Sequence, residues 1–219
     1  MNKMAKKDEG QRSLKDVVIP GMRWKNIVVP IENVEGSSLL MNRFPDEVRQ
    51  DLEDKNQGRP VKKRTPLSSE EIYERCFHVI DGKKKIYGFP SDGFKGACIG
   101  AARFIPSITM EQIKGMMHII PDNGDLVRIN GTPNMRKKDV ARNQNAGGAP
   151  APLTRAEFKN WFANLKMRFN EEMITEEQAI QLLNIARSTQ GIGPWRPSLK
   201  GGGSHGMFQV KANRKNIKA

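Results

Sequence analysis

Long apolar runs are missing from this chain. The longest extend over a few residues, as in Ile27-Val28-Val29, far short of the roughly 20 apolar residues a spanning helix requires. A membrane-spanning helix is therefore excluded, and we expect a soluble protein without a membrane partner. The first residues, MNKMAKKDEGQRSLKD, carry cations with no apolar stretch behind them. That pattern predicts no secretory signal and a cytoplasmic location. Cysteine is scarce: Cys76 and Cys98 lie 22 positions apart with no CxxC, which excludes a disulfide framework and a zinc knuckle and makes both small core residues. His78, His118 and His205 are the only histidines, and none falls in HExxH or another ligand spacing, so neither a metal nor a protein-encoded cofactor site is expected.

Acid is short relative to base. Against 37 Lys and Arg stand 24 Asp and Glu, a formal charge of 37 − 24 = +13 and a pI of about 9.9. With 219 residues and 37% hydrophobic content, the chain fits one decorated domain better than two small ones. The positive charge is clustered, as a phosphate-bearing partner requires. Lys62, Lys63 and Arg64 sit in NQGRPVKKRTP, a segment with Gly, two Pro and almost no apolar residues, which reads as a loop. Lys83, Lys84 and Lys85 follow Asp81-Gly82 and run into Ile86-Tyr87-Gly88-Phe89, which reads as a basic hairpin. Arg136, Lys137, Lys138 and Arg142 precede NQNAGGAPAP, a flexible second excursion. The final KANRKNIKA has four cations and no acid, the composition of a disordered tail.

Ordered elements lie between these clusters. KNIVVPI, Lys25 to Ile31, is rich in β-branched residues and predicts a strand, with Pro30 marking an edge or bulge. Ser68-Ser69-Glu70-Glu71 supplies a capping box, and Ile72, Cys76, Val79 and Ile80 recur at helical spacing, predicting a helix near 69–79. Phe94, Ala97, Cys98, Ala101 and Ala102 form a stripe of largely small residues, predicting a second helix over about 92–103. Thr109 and Gln112 cap a short helical turn. Met117–Ile120 and Asp125–Asn130, separated by Pro-Asp-Asn-Gly, read as a hairpin. Trp161 to Phe169 reads as a half-exposed strand with Phe162, Leu165, Met167 and Phe169 inward and Lys166 and Arg168 outward. Thr175-Glu176-Glu177-Gln178 caps a helix carrying Ala179, Leu182, Leu183 and Ala186 on one face up to Gly191. A glycine-rich loop then leads to a last strand, Met207–Val210. Without its excursions the order is β-α-β-β-α-β, so the expected class is α+β with a ferredoxin-like, RRM-like core. The expected organisation is a flexible basic segment at 1–22, a single domain at 23–210 with insertions at about 36–88 and 131–158, and a basic tail at 211–219.

The densest motif is Gly191-Ile192-Gly193-Pro194-Trp195-Arg196 followed by Gly201-Gly202-Gly203-Ser204-His205-Gly206. Glycines at Gly191, Gly193, Gly203 and Gly206 remove side chains that keep backbone N–H groups away from a ligand. The loop follows a helix and precedes a strand, whereas nucleotide-binding loops follow a strand and open a helix, so ATP and NAD are not the expected ligands. Trp195 beside Arg196 offers a stacking plane next to a cation, a pair suited to single-stranded nucleic acid. Packing of Trp195 beneath the loop is the alternative.

A second helix leading into G-φ-G…G-x-G-x-F, here Gly191, Ile192, Gly193, then Gly203, Gly206 and Phe208, resembles the RAMP superfamily, the RRM-like proteins of CRISPR effector complexes. Phe89-Pro90-Ser91-Asp92-Gly93-Phe94-Lys95-Gly96-Ala97 also looks like the entry of RAMP backbone subunits into their first long helix. The resemblance implies insertions that grip a guide RNA and a neighbouring subunit. It implies as partners single-stranded RNA or ssDNA, copies of the chain in a helical or filamentous assembly, and other effector-complex subunits. The setting it implies is a bacterial cell or a phage-encoded relative, the chain being short for a backbone subunit.

Some RAMP proteins cut RNA with a histidine, which would make His205 a candidate acid/base; others use a thumb aspartate and a metal, which would make Asp139 one. A lone His is more often structural, and Asp139 among cations can equally be an ion pair, with no second carboxylate at ligand spacing. Binding without chemistry is the preferred expectation: a protein that coats single-stranded nucleic acid, RNA before ssDNA, through phosphate contacts. A RAMP-type endoribonuclease and a basic protein docking an acidic partner are the alternatives.

Overall fold

A computed structural model describes residues 22–61, 65–143 and 148–211. It is a mixed α+β structure on an open antiparallel sheet. The elements in chain order are β1 (Trp24–Asn33), β2 (Leu39–Met41), α1 (Asp46–Asn56), α2 (Ser69–Arg75), β3 (His78–Asp81), β4 (Ile86–Pro90), α3 (Ser91–Ala101), α4 (Met110–Met116), β5 (Met117–Ile120), β6 (Leu126–Asn143), β7 (Ala149–Asn170), α5 (Glu176–Thr189) and β8 (Phe208–Val210). Among the described residues no helix is long and apolar enough to cross a membrane.

Strand β7 organises the sheet. One edge pairs with β1 and β2, the other with β6 and β5. β8 extends the sheet beyond β1, while β4 and β3 extend it beyond β6. Residues of β7 that share a side pack inward, with Trp161, Ala163, Leu165, Met167 and Phe169 all buried. Across the ladder Val29 and Ile31 of β1 join them, and α3 (Phe94, Ala97, Cys98, Ala101) and α5 (Ala179, Leu182, Leu183, Ala186) cover this face. Each large side chain so buried contributes about 1.5–3 kcal/mol of transfer free energy.

Local signals hold where the chemistry is local. Reciprocal capping boxes are formed by Ser68 with Glu71, Thr109 with Gln112 and Thr175 with Gln178, satisfying N–H groups that a helix start leaves without partners. Three expectations need correction. The helix at 69–79 ends at Arg75, because Val79 and Ile80 belong to β3, which pairs with β4 around the Gly82–Lys85 turn. Met117–Ile120 and Asp125–Asn130 are not hairpin partners: β5 pairs with the end of β7, and β6 pairs with β4 and β7, so tertiary pairing overrides the turn signal. Phe162 points away from the core, 48% exposed, while Trp161 takes the buried side. Pro30 stands where β1 becomes an edge strand, paired with β7 on one side while the β8 ladder on the other reaches only to Ile31. Its carbonyl accepts from Lys211, the first residue past β8, so the missing N–H faces the place where the β8 ladder stops.

The excursion at 131–158 is not a flexible stretch where it is described; most of it is the β6–β7 hairpin. The earlier one contains β2, α1, α2 and the β3–β4 hairpin. The expected segments 1–22 and 211–219 lie outside the described residues apart from Met22 and Lys211.

Candidate functional site

A strand places residues three apart on opposite faces, so Arg136 and Asp139 of β6 would ordinarily point away from each other. Between them the ladder slips: Arg136 pairs with Arg155 and Asp139 with Leu153, giving β6 one residue more than β7 over that interval. This bulge turns Asp139 toward the two arginines. Asp139 Oδ1 accepts from Arg136 Nε at 2.7 Å and Oδ2 from Arg155 at 3.0 Å, with all three side chains buried. Like charges directly opposed across a ladder repel; the carboxylate between them supplies the compensation. Asp139 therefore serves as the counter-ion of an arginine pair, the ion-pair reading of its setting.

Above this cluster lies Trp195. The Arg155 guanidinium stands 4.7 Å from its ring centroid and that of Arg136 5.6 Å, while the His205 ring lies 6.0 Å away on a tilted plane. Trp195 has φ +54°, a left-handed conformation that is costly for a bulky residue, and the loop around it holds that geometry. Gly203 packs against the Trp195 backbone, with no room for a Cβ. Gly191 (φ +61°) packs on Pro197 and Arg196, Gly193 (φ +75°) on the Leu40 carbonyl, and Gly206 (φ +68°) on Ile192. The close approach these glycines allow is thus made to the protein's own chain. Arg196 donates to the Gly193 carbonyl and to Ser198 Oγ, bracing the loop.

His205 joins a hydrogen-bonded chain. Ser38 Oγ lies 2.7 Å from Glu157 Oε1 and 2.9 Å from His205 Nδ1, and the same carboxylate oxygen accepts from Arg136 at 3.1 Å. A serine hydroxyl has one proton. Donated to the carboxylate, it leaves Ser38 to accept from His205 Nδ1–H, so Nε2 keeps the lone pair. Burial, aided by the Arg136 guanidinium, holds the imidazole below its ordinary pKa against the pull of Glu157 and Asp139. His205 is therefore neutral at pH 7. These residues wall an open cleft of about 590 Å³ whose rim carries Lys138, Lys159 and Glu32.

No protein-family model matches the chain, and no curated protein sequence matches it.

The candidate residues divide by position. Arg136, Trp195, Gly203, Gly206 and His205 converge on this site with Asp139, and Lys138 lies on its rim. Gly191, Gly193 and Arg196 form the neighbouring wall facing α3. Lys137 points elsewhere, to Glu70 at 2.9 Å. Lys83, Lys84 and Lys85 occupy the exposed β3–β4 turn at the far edge of the sheet. The backbone of Arg142 belongs to β6, while Lys62, Lys63 and Arg64 lie outside the described residues. Ser38, Arg155, Glu157 and Lys159 also belong to the site and are not among the candidates the motifs provide. A signal for Arg155 and Glu157 exists in the alternation Arg155, Ala156, Glu157, Phe158, which marks a strand with one polar side. Nothing near Ser38 foretells its contact with a histidine 167 positions away.

Proposed function

We propose that this protein binds single-stranded nucleic acid, RNA in preference to ssDNA, and coats it as a repeating oligomer in the manner of RAMP backbone subunits. The observation that carries the reading is uncompensated positive charge held at the surface. Lys83, Lys84, Lys85, Lys138 and Lys159 are exposed and their ammonium groups form no ion pair among the described residues, although the Lys83 and Lys84 amides donate to Asp81, in a chain of formal charge +13. Exposed cations without counter-ions repel one another and favour a polyanion. A ferredoxin-like core is the finer fold reading that goes with it. Its support is the order β8-β1-β7-β5, antiparallel throughout, with α3 linking β1 to β5 in sequence and α5 linking β7 to β8. The cleft beside Trp195 is the site we assign to the strand's phosphates, since the exposed Lys138 and Lys159 line it.

The test is anisotropy titration of labelled RNA and DNA strands between 50 and 200 mM salt, with sizing of the complexes. Expected are complexes of several copies per strand and an affinity falling linearly with salt on logarithmic axes. No binding at 50 mM salt overturns the proposal.

One observation favours the endoribonuclease alternative. The chain Glu157–Ser38–His205 leaves Nε2 as a base, the arrangement needed to take a proton from a ribose hydroxyl. RNA cleavage by the purified protein, lost in His205→Ala while binding persists, establishes that reading; intact RNA under all conditions removes it.

A further inference from the structure

At the end of the sheet where β1 begins, four elements bring side chains to one corner. Trp24 opens β1, Lys95 lies on α3, His118 on β5 and Arg168 near the end of β7. The Arg168 guanidinium stands 4.9 Å from the Trp24 ring centroid, and the His118 ring packs on the same indole at 5.7 Å. Lys95 Nζ lies 3.4 Å from His118 Nδ1, a contact in which the ammonium donates and the imidazole accepts. Acceptance requires a neutral ring. Burial, together with the Lys95 and Arg168 charges, holds His118 below the ordinary histidine pKa against the pull of the Gly115 carbonyl. Other cations at this end of the sheet are neutralised: Arg23 by Glu172 at 3.2 Å, Lys25 by Glu176 at 2.8 Å and Lys166 by Asp122 at 2.8 Å. Among the described residues neither Lys95 nor Arg168 forms an ion pair, and the ladder neighbours of Arg168 are Asn26 and His118, neither of them acidic.

Two permanent charges and a histidine able to supply a third repel one another, and an anion between them removes the repulsion. Charge and shape select that anion. Stacking on Trp24 occupies only the face of the Arg168 guanidinium and leaves its N–H edge free to grip two oxygens. A carboxylate or a phosphodiester brings a single negative charge. A phosphomonoester brings about 1.5 to 2 at pH 7 and three acceptor oxygens, enough for Lys95, His118 and Arg168 together. The indole is engaged by Arg168 and His118, so Trp24 orients the cations rather than receiving the ligand. Along β7, Arg168 lies 168 − 155 = 13 positions beyond Arg155, up to roughly 40 Å of strand, which separates this corner from the cleft beside Trp195. We infer that Lys95, His118 and Arg168 form a binding site for a phosphomonoester, carried either by a small phosphorylated molecule or by the end of a strand. The inference goes beyond the coating proposal and does not depend on it.

The probe is inorganic phosphate, with dimethyl phosphate as the singly charged control, and the readout is the imidazole NMR signal of His118, assigned by its loss in His118→Gln. Phosphate added to about 10 mM is expected to shift that signal saturably, with dimethyl phosphate at least roughly tenfold weaker. The titration midpoint of His118 should move upward at the same time, because the bound anion favours the imidazolium. Lys95→Gln and Arg168→Gln should each weaken phosphate binding by roughly tenfold, the loss of one charge-assisted hydrogen bond. Thermal melting confirms folding, and Arg168→Lys, which keeps the charge and loses the fork, serves should Arg168→Gln fold poorly. Strands with a terminal phosphate and with a terminal hydroxyl are then compared by anisotropy. Roughly tenfold tighter binding of the phosphorylated strand, lost in Lys95→Gln, assigns the site to a strand end. Equal binding of the two strands, with inorganic phosphate still shifting His118, assigns it to a small phosphorylated molecule. A His118 signal unmoved by phosphate, an equal response to dimethyl phosphate, or undiminished binding in both variants overturns the site and leaves the coating proposal standing. Failure of the coating proposal reads differently: no strand binds at low salt, while phosphate still shifts His118.

Discussion

Ile192 and Gly206 meet backbone to backbone: the Ile192 amide donates to the Gly206 carbonyl at 2.9 Å, and a Cβ on Gly206 would overlap the Ile192 carbonyl oxygen. This contact ties the chain just past α5 to the approach to β8 and closes the loop that carries Trp195 and His205. Gly206 also has φ +68°, so an alanine there meets strain and collision together. Gly206→Ala is expected to cost about 3 kcal/mol or more. Gly202→Ala, at φ +53° with open space around it, should cost only about 1–2 kcal/mol. Urea unfolding of the two variants makes the comparison, and equal losses would contradict the packing role.

Asp139 neutralises two buried guanidinium groups. Asp139→Asn removes the charge at nearly constant volume and leaves Arg136 and Arg155 opposed, at an expected cost of about 3–5 kcal/mol. Thermal melting reads the loss. The accompanying readout is nuclease activity with added metal: a variant that keeps its stability and loses a metal-dependent cleavage would reassign Asp139 to catalysis.

His78 and His205 are both held below the ordinary histidine pKa, each chiefly by burial and next by a neighbouring arginine, Arg43 and Arg136 respectively. In the unfolded chain both titrate near pH 6.5. As pH falls past that value the unfolded chain takes up protons first, so stability, fully present above it, declines toward pH 5. Denaturant midpoints from pH 8 to 5 should therefore fall, with a shallower decline in His205→Gln. A midpoint that rises on acidification would reverse the assignment.

Burial pushes the Cys98 thiol up to about 12 and raises that of Cys76 as well. Because the thiolate is the reactive form, neither cysteine should react with a thiol reagent in the folded protein, and both should react in denaturant. Rapid native labelling of Cys98 would mean that the α3–α5 layer opens readily.

Much of the fold was legible because its signals are short-range. The three capping boxes fix helix starts within four residues, and the alternation from Ala163 to Phe169 declares a strand with one wet side. Lys166 and Arg168 were correctly assigned to that wet side, although nothing in the sequence said that no helix would cover it. Phe162 was misplaced because a run of two aromatics, Trp161-Phe162, does not announce which of them turns inward.

The sequence by itself determined the basic charge, the element types and the glycines whose backbone angles the loop requires, since each follows from composition or from neighbours along the chain. Tertiary structure alone decided that a one-residue slip in the β6–β7 ladder turns Asp139 toward Arg136 and Arg155, that Ser38 reaches His205, and that Phe162 stands on an open face. Those relationships come from strand register and from loops closed over long stretches of chain, and a one-residue change of register reverses the side to which a residue points.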